Sequence, residues 1–332
     1  MENKSPEIIK HDHSKIFVFL SVVACSVIIG GLFFNSHPAF NNKRVTETPA
    51  GSQEMYFTSV KLPDKLDFAG EAVPLENFDV LESLDRELLI TANFHSQTIL
   101  YIKKTNRYFS VIEPILKKHG VPLDFKYLAL AESGFIDKVV SPAGAVGIWQ
   151  FMKTAAVENG LEVNEEVDER YHIEKATEAA CKYLKKSFTQ YNNWTMVAAS
   201  YNAGIQGVNR QIDVQDSKNY YDLLLNEETS RYLFRILSLK LVIGNPEQYG
   251  FKVSEDEKYP VIPVTEVKVS GGVISFTDFA RDNKINYKLL KQFNPWLRLP
   301  YLKNPKKETY SIKIPEVGKF RKYADEGNAE NK

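Results

Sequence analysis

The chain has little with which to hold a metal or build a disulfide framework. Two cysteines, Cys25 and Cys181, lie far apart in 332 residues, and six histidines are scattered. No metal-ligand spacing results. A charge bias is missing too, since Lys+Arg and Asp+Glu both total 42. Without a long basic run there is no phosphate-neutralising surface, so no nucleic-acid partner is expected. Apolar content of 43% and charged content of 25% are those of a globular protein. The length allows one large domain with a small one, or two modest ones.

One long apolar run is present. Residues 16–34 (IFVFLSVVACSVIIGGLFF) contain no charged, amide or proline residue. As a helix they would span about 28 Å, close to the hydrocarbon thickness of a bilayer. The run predicts a transmembrane anchor. The alternative is a lipoprotein acylated at Cys25, because Val22-Val23-Ala24-Cys25 resembles a cleavage box. Nine further apolar residues after Cys25 favour the anchor. Lys4, Lys10 and Lys15 precede the run, but Lys43 and Arg44 follow it, so charge orients it only weakly. Cys181 is then left without a disulfide partner and reads as a small buried residue on a helix.

Residues 35–74, rich in Ser, Thr, Asn, Pro and Glu, read as a linker. From Leu75 to Gly250 apolar positions recur at three and four. Phe78, Leu81, Leu84 and Leu88 form one stripe, and Ile99, Ile102, Phe109, Ile112 and Leu116 another. Helices are predicted over residues 124–133, 148–159, 173–191, 194–203 and 228–243. Gly134, Gly160, Gly204 and Gly244 sit where C-terminal caps belong. Residues 75–250 thus form an all-helical domain. Residues 251–316 change pattern: strand 264–269, helices 276–283 and 287–293, and strand 310–314. Residues 317–332 are a charged tail.

Within Leu128-Ala-Leu-Ala-Glu132-Ser-Gly-Phe135 one carboxylate ends an apolar helix. Unpaired helix carbonyls disfavour a negative charge there, and apolar neighbours desolvate it. Both raise the pKa, as a general acid for glycosidic cleavage requires. By position alone, Glu132 also fits an ordinary surface helix residue.

The surrounding words decide. Ala131-Glu132-Ser133-Gly134-Phe135 is followed by Ser141-Pro-Ala-Gly144-Ala-Val-Gly147-Ile-Trp149-Gln150-Phe151-Met152. Then come Gly160-Leu161, Val167-Asp168-Glu169-Arg170, Thr177-Glu-Ala-Ala180, Asn193-Trp194, Ser200-Tyr201-Asn202-Ala203-Gly204 and Glu228-Thr229-Ser-Arg-Tyr232. In this order they resemble the lytic transglycosylases with a goose-type lysozyme-like catalytic domain, the membrane-bound type D branch above all. The likeness covers roughly residues 78–250. Ile148 stands for a usual Leu, Lys153-Thr154-Ala155 for Pro-Gly-Thr, and Ser200 for a frequent Ala.

The resemblance implies a mainly α, lysozyme-like catalytic domain that needs no metal or cofactor. The domain's partner is the peptidoglycan glycan strand, which would place it outside the cytoplasm and residues 1–15 inside. Its single catalytic carboxylate is Glu132. Glu132 would protonate the oxygen between N-acetylmuramic acid (MurNAc) and N-acetylglucosamine (GlcNAc). It would then take the C6 hydroxyl proton as a 1,6-anhydro ring closes, an intramolecular attack with a large effective molarity. By the same resemblance Ser141, Gly147, Gln150, Met152, Tyr201, Asn202 and Tyr232 line the substrate cleft. Ser141 also fits a turn cap, and Tyr232 a packing role. Asp168, Glu169 and Arg170 read as structural. The alternatives are a muramidase using water on the same bond and a non-catalytic peptidoglycan-binding protein. Residues 251–316, with Phe293-Asn294-Pro295, look like a LysM module, an α+β strand-helix-helix-strand unit that binds GlcNAc chains. Val267-Lys268-Val269 replaces the usual Tyr-x-Val opening, and a packing domain without sugar affinity is the alternative.

Overall fold

A computed structural model describes residues 59–316 and residue 318. The predicted anchor at 16–34 and the Cys25 alternative lie outside the described residues. Among the described residues no helix is long and apolar enough to cross a membrane.

The chain enters through a two-residue antiparallel pair, β1 (Asp67–Phe68) and β2 (Glu71–Ala72). Phe68 and Val73 are buried in the helical core, so the folded body begins ahead of Leu75. Helices follow at α1 (Phe78–Asn93), α2 (His95–His119), α3 (Phe125–Ser133), α4 (Lys153–Glu158), α5 (Ile173–Tyr191), α6 (Trp194–Ala203), α7 (Ile205–Gln215) and α8 (Glu227–Gly244). The axis of this body is α8. Tyr232, Leu233, Ile236, Leu237, Leu239 and Val242 are all buried, and each such side chain contributes about 1.5–3 kcal/mol of hydrophobic stabilisation. Its N-terminus is fixed by Asn226, whose side chain accepts from Thr229 N at 2.9 Å, satisfying one orphan amide.

Two expected patterns differ in detail. The inward face of α1 is Val80, Leu84 and Leu88, whereas Phe78 is exposed. Residues 148–159 are not one helix. Residues 147–150 form a turn, Val146 bridges Phe151, and α4 begins only at Lys153.

Residues 251–260 run back along the helical body, where Phe251 is buried and Tyr259 N donates to Lys103 O at 2.8 Å. The C-terminal unit then follows as β3 (Val264–Val269), α9 (Phe276–Asp282), α10 (Tyr287–Phe293) and β4 (Tyr310–Pro315). β3 and β4 pair antiparallel, with Val264 opposite Pro315 and Val269 opposite Tyr310. Asn294 explains the Phe-Asn-Pro motif. It is fully buried, donates to Leu290 O and Lys313 O, and accepts from Lys313 N at 2.8 Å. That side chain ties the end of α10 to β4. Val146, Val167 and Tyr171 enter the same core as Phe276, Leu290, Trp296 and Ile312. A unit too small to bury much on its own is completed by the helical body.

Candidate active site

Glu132 is the penultimate residue of α3, which Gly134 closes in the left-handed conformation with its N–H on Leu130 O. Left-handed backbone at Gly134 and again at Phe135 (φ 56° and 50°) turns the chain away directly behind the carboxylate. The ring of Tyr101 lies against Gly134, where a Cβ would come within 2.8 Å of Cε1. Lys104 Nζ donates to Gly134 O at 2.8 Å. One helix, α2, thus both packs against the turn and pins its carbonyl.

From α8, one hydroxyl reaches Glu132 directly: Tyr232 donates to its carboxylate. Burial pushes the Glu132 pKa up to about 7. The Tyr232 hydrogen bond and the Arg235 charge work against that rise, and the Glu228 charge adds to it. Tyr201 and Tyr232 are themselves raised well above the usual phenol range, first by burial and then by the charge of Glu132. Both phenols therefore stay protonated as donors.

The remaining expected site residues divide into two groups. Tyr201 and Asn202 end α6 beside α8. Tyr201 Oη donates to Trp149 O at 2.7 Å. Asn202 accepts from Thr229 Oγ1 at 2.7 Å and donates to Glu228 Oε1 at 3.2 Å. Ser141, Gly147, Gln150 and Met152 belong to the loop of residues 139–152. Ser141 closes a turn there, its Oγ accepting from Ala145 N at 3.0 Å. Gly147 has φ 77°, and a Cβ on it would sit 2.1 Å from Arg170 O, so only glycine fits. Gln150, also at positive φ, folds its amide onto Gly147 O at 2.7 Å. Met152 is 47% exposed. Trp149 and Phe151 are buried, with Trp149 Nε1 donating to Thr177 Oγ1 at 2.9 Å. The hydrogen bonds of the described residues do not join Ser141 or Met152 to Glu132. The loop reaches the acid's surroundings through Trp149 O and Tyr201.

Glu228, from the Glu228–Tyr232 word, acts on the acid through its charge, and Arg235 and the pair Gln97 and Tyr101 are neighbours that the sequence analysis does not name. Arg235 follows Tyr232 by three positions, which helical geometry puts on the same face; that spacing was the available signal. Gln97 donates to Tyr101 Oη one turn away on α2, and only tertiary packing brings that pair to the acid. Asp137, near Glu132 in sequence, instead accepts from Tyr108 Oη at 2.6 Å. Asp137 lines a cavity of about 230 Å³ with Tyr171 and Trp296 at the C-terminal unit, and Glu132 is not part of that lining. Among the described residues no group of three or more His, Cys, Asp or Glu side chains is arranged to hold a metal.

A raised carboxyl at a helix end, hydrogen-bonded by a buried phenol, is suited to general acid and base work. Two stretches of the chain match family models. Residues 110–224 match the family model described as "Transglycosylase SLT domain". Residues 265–318 match "Soluble lytic transglycosylase C-terminal LysM-like domain". The chain is similar to membrane-bound lytic murein transglycosylase D of Escherichia coli strain K12. The two are 24% identical over 224 residues, 66% of this chain and 48% of the relative. The same figures hold for that protein from E. coli O6:H1 strain CFT073. The chain thus spans about half the length of the curated relatives it matches. Among solved structures it is similar to an inactive mutant of lytic transglycosylase Slt from Pseudomonas aeruginosa. There the TM-score is 0.36 at 20% identity, over 46% of this chain and 26% of that one. The 70 kDa soluble lytic transglycosylase Slt70 of E. coli gives 0.37 at 20% identity, over 46% and 27%.

Proposed function

We propose that the protein is a membrane-anchored peptidoglycan lytic transglycosylase in which Glu132 is the single general acid and base. The observation that carries this is the Glu132 carboxyl, pushed up to about 7 by burial while hydrogen-bonded to Tyr232. A group with that proton affinity donates and accepts efficiently near neutral pH.

In the reaction, Glu132 gives its proton to the oxygen linking MurNAc to GlcNAc as the C1–O bond breaks. The resulting carboxylate removes the proton of the C6 hydroxyl while O6 bonds to C1. The products are a 1,6-anhydro-MurNAc end and a free GlcNAc hydroxyl, with no water consumed and Glu132 returned protonated. Tyr232 steadies the carboxylate between the two steps, and Arg235 adds a nearby positive charge. The loop of residues 139–152 and Asn202 shape the glycan cleft, with Ser141, Gly147, Gln150, Met152 and Tyr201 as its contacts. The C-terminal unit adds a second glycan contact. Residues 16–34 hold the enzyme in the membrane with its active site on the extracytoplasmic side, where peptidoglycan lies.

A muramidase reading has one observation in its favour. Glu228 carries a second carboxylate whose charge is felt by Glu132. Its Oε1, however, is engaged by Asn202. The test is release of soluble fragments from insoluble peptidoglycan by the purified protein and by Glu132→Gln, followed by identification of the new ends.

A further inference from the structure

We propose that Arg170 is a positioning residue for the loop of residues 139–152, and that the C-terminal unit braces the segment that carries it. This deepens the transglycosylase reading above and rests on it for the kinetic effect, though not for the structural one.

Arg170 uses its whole fork. Nε donates to Asp168 Oδ1 at 2.9 Å and Nη2 to Asp168 Oδ2 at 2.7 Å, a bidentate pair. Nη1 donates to Gly144 O at 3.3 Å and to Phe151 O at 3.2 Å. Those two carbonyls flank Gly147, Trp149 and Gln150, so one guanidinium ties both sides of the turn together. The backbone of Arg170 meets the same turn, with its carbonyl in the space that a Cβ on Gly147 would take. Asp168 and Arg170 side chains are each only 10% exposed, so this is not a solvated surface pair. A lysine could neutralise Asp168 but could not span a carboxylate and two carbonyls at once.

The segment behind the fork is held by the C-terminal unit. Asp168 N donates to Trp296 O at 2.9 Å, and Arg298 N donates to Glu166 O at 2.8 Å. Val167 forms an antiparallel bridge with Leu297. Lys303 N donates to Glu166 Oε2 at 2.7 Å, and the Arg298 guanidinium lies 4.1 Å over the Tyr171 ring. Residues 166–171 therefore have the C-terminal unit on one side and the cleft loop on the other. The path continues to the acid: the loop's Trp149 O receives Tyr201 Oη, and Tyr201 feels the charge of Glu132. Arg170 is not among the charges that act on Glu132, which are those of Arg235 and Glu228. Its substitution should therefore disturb loop geometry without moving the proton affinity of the acid.

The test uses the full chain with Arg170→Lys, Arg170→Ala and Arg298→Ala. Fragment release from peptidoglycan gives kcat and KM across pH, and amide hydrogen exchange is followed over residues 141–151. Arg170→Lys is expected to lose about tenfold or more in kcat, the scale of a slight misplacement near the chemistry. KM should stay within about twofold and the alkaline limb should not move. Millimolar guanidinium should restore part of the activity of Arg170→Ala and none to Arg170→Lys. Arg298→Ala changes an exposed residue outside the cleft and should raise exchange in residues 141–151 while leaving α3 protected. Full kcat in Arg170→Lys, or a loss in KM alone, would overturn the positioning role. Unchanged loop exchange in Arg298→Ala would overturn the brace. If the unaltered protein released no fragments, the transglycosylase reading would fall, and the exchange measurement would still decide the structural claim.

Discussion

The Tyr232 hydroxyl donates to the Glu132 carboxylate across one hundred residues of sequence. The contact joins the C-terminal end of α3 to the N-terminal half of α8. It opposes the dominant influence on the acid: burial raises the Glu132 pKa, while the Tyr232 bond and Arg235 restrain the rise to about 7. A carboxyl so held can both give and take a proton near neutral pH.

Tyr232→Phe removes a hydrogen bond that favours the charged form, so the Glu132 pKa rises further. The alkaline limb of the kcat/KM profile, set by loss of the proton from Glu132, should shift to higher pH. The maximum rate should fall, because the carboxylate loses a donor. A limb that stays in place or moves down would show that the phenol does not tune this group.

Glu132 also makes stability depend on pH. Its folded pKa of about 7 lies above the ordinary 4.5, so the folded state binds the proton more tightly. That stabilisation is complete below about pH 4.5 and is lost as pH rises through 7. Glu132→Gln escapes the loss. Its unfolding free energy should exceed the native protein's by up to roughly 3 kcal/mol above neutrality, with the gap closing in acid. Urea unfolding at several pH values measures it.

Gly147→Ala tests the loop. The backbone there has φ 77°, and the added Cβ would lie 2.1 Å from Arg170 O. Strain of this kind costs on the order of 1–3 kcal/mol, and the displaced turn should cut activity well beyond the loss in stability. Thermal unfolding together with fragment release separates the two.

Glu71 tests where the folded body begins. From β2 its carboxylate accepts from Trp194 N, from Thr195 N at 2.9 Å and from Thr195 Oγ1 at 2.7 Å, capping α6. Glu71→Ala should cost about 1.5–3 kcal/mol, the range for hydrogen bonds to a charged group, with Glu71→Gln losing less. Calorimetry would show it, and a chain trimmed to Leu75 should be destabilised further by losing Phe68 and Val73 from the core.

Much of this was legible from sequence because local signals agreed with the final packing. The strand-helix-helix-strand order from Val264 to Pro315 has alternating strands and Asn or Ser caps, so its boundaries follow from local chemistry alone. Helices α5 and α6 are equally plain, each ending at a residue suited to a cap. The loop was harder. Ile148-Trp149-Gln150-Phe151 looks helical by composition, but the bridge from Val146 to Phe151 and the positive φ of Gln150 make it a turn. The hydrogen bonds of the turn are themselves local, but the Arg170 contacts to Gly144 O and Phe151 O that accompany them lie outside any local window. Helix α7 has its own signal, since Ile205, Val208 and Ile212 recur at i, i+3 and i+7, although only Val208 is fully buried. At the site, Glu132 stood out through its flanking words. Arg235 had only its spacing from Tyr232 to mark it, and nothing distinguishes Gln97 and Tyr101 from other helix residues until α2 and α3 are packed.

The central claim concerns what Glu132 does to the glycosidic bond, and mass spectrometry of the released products tests it most directly. Purified peptidoglycan is treated with the protein and, in parallel, with Glu132→Gln. The account predicts muropeptides ending in 1,6-anhydro-MurNAc, absent with the variant. Reducing ends heavier by one water would contradict it in favour of hydrolysis, and no release by either protein, with binding intact, would contradict it in favour of a wall-binding role.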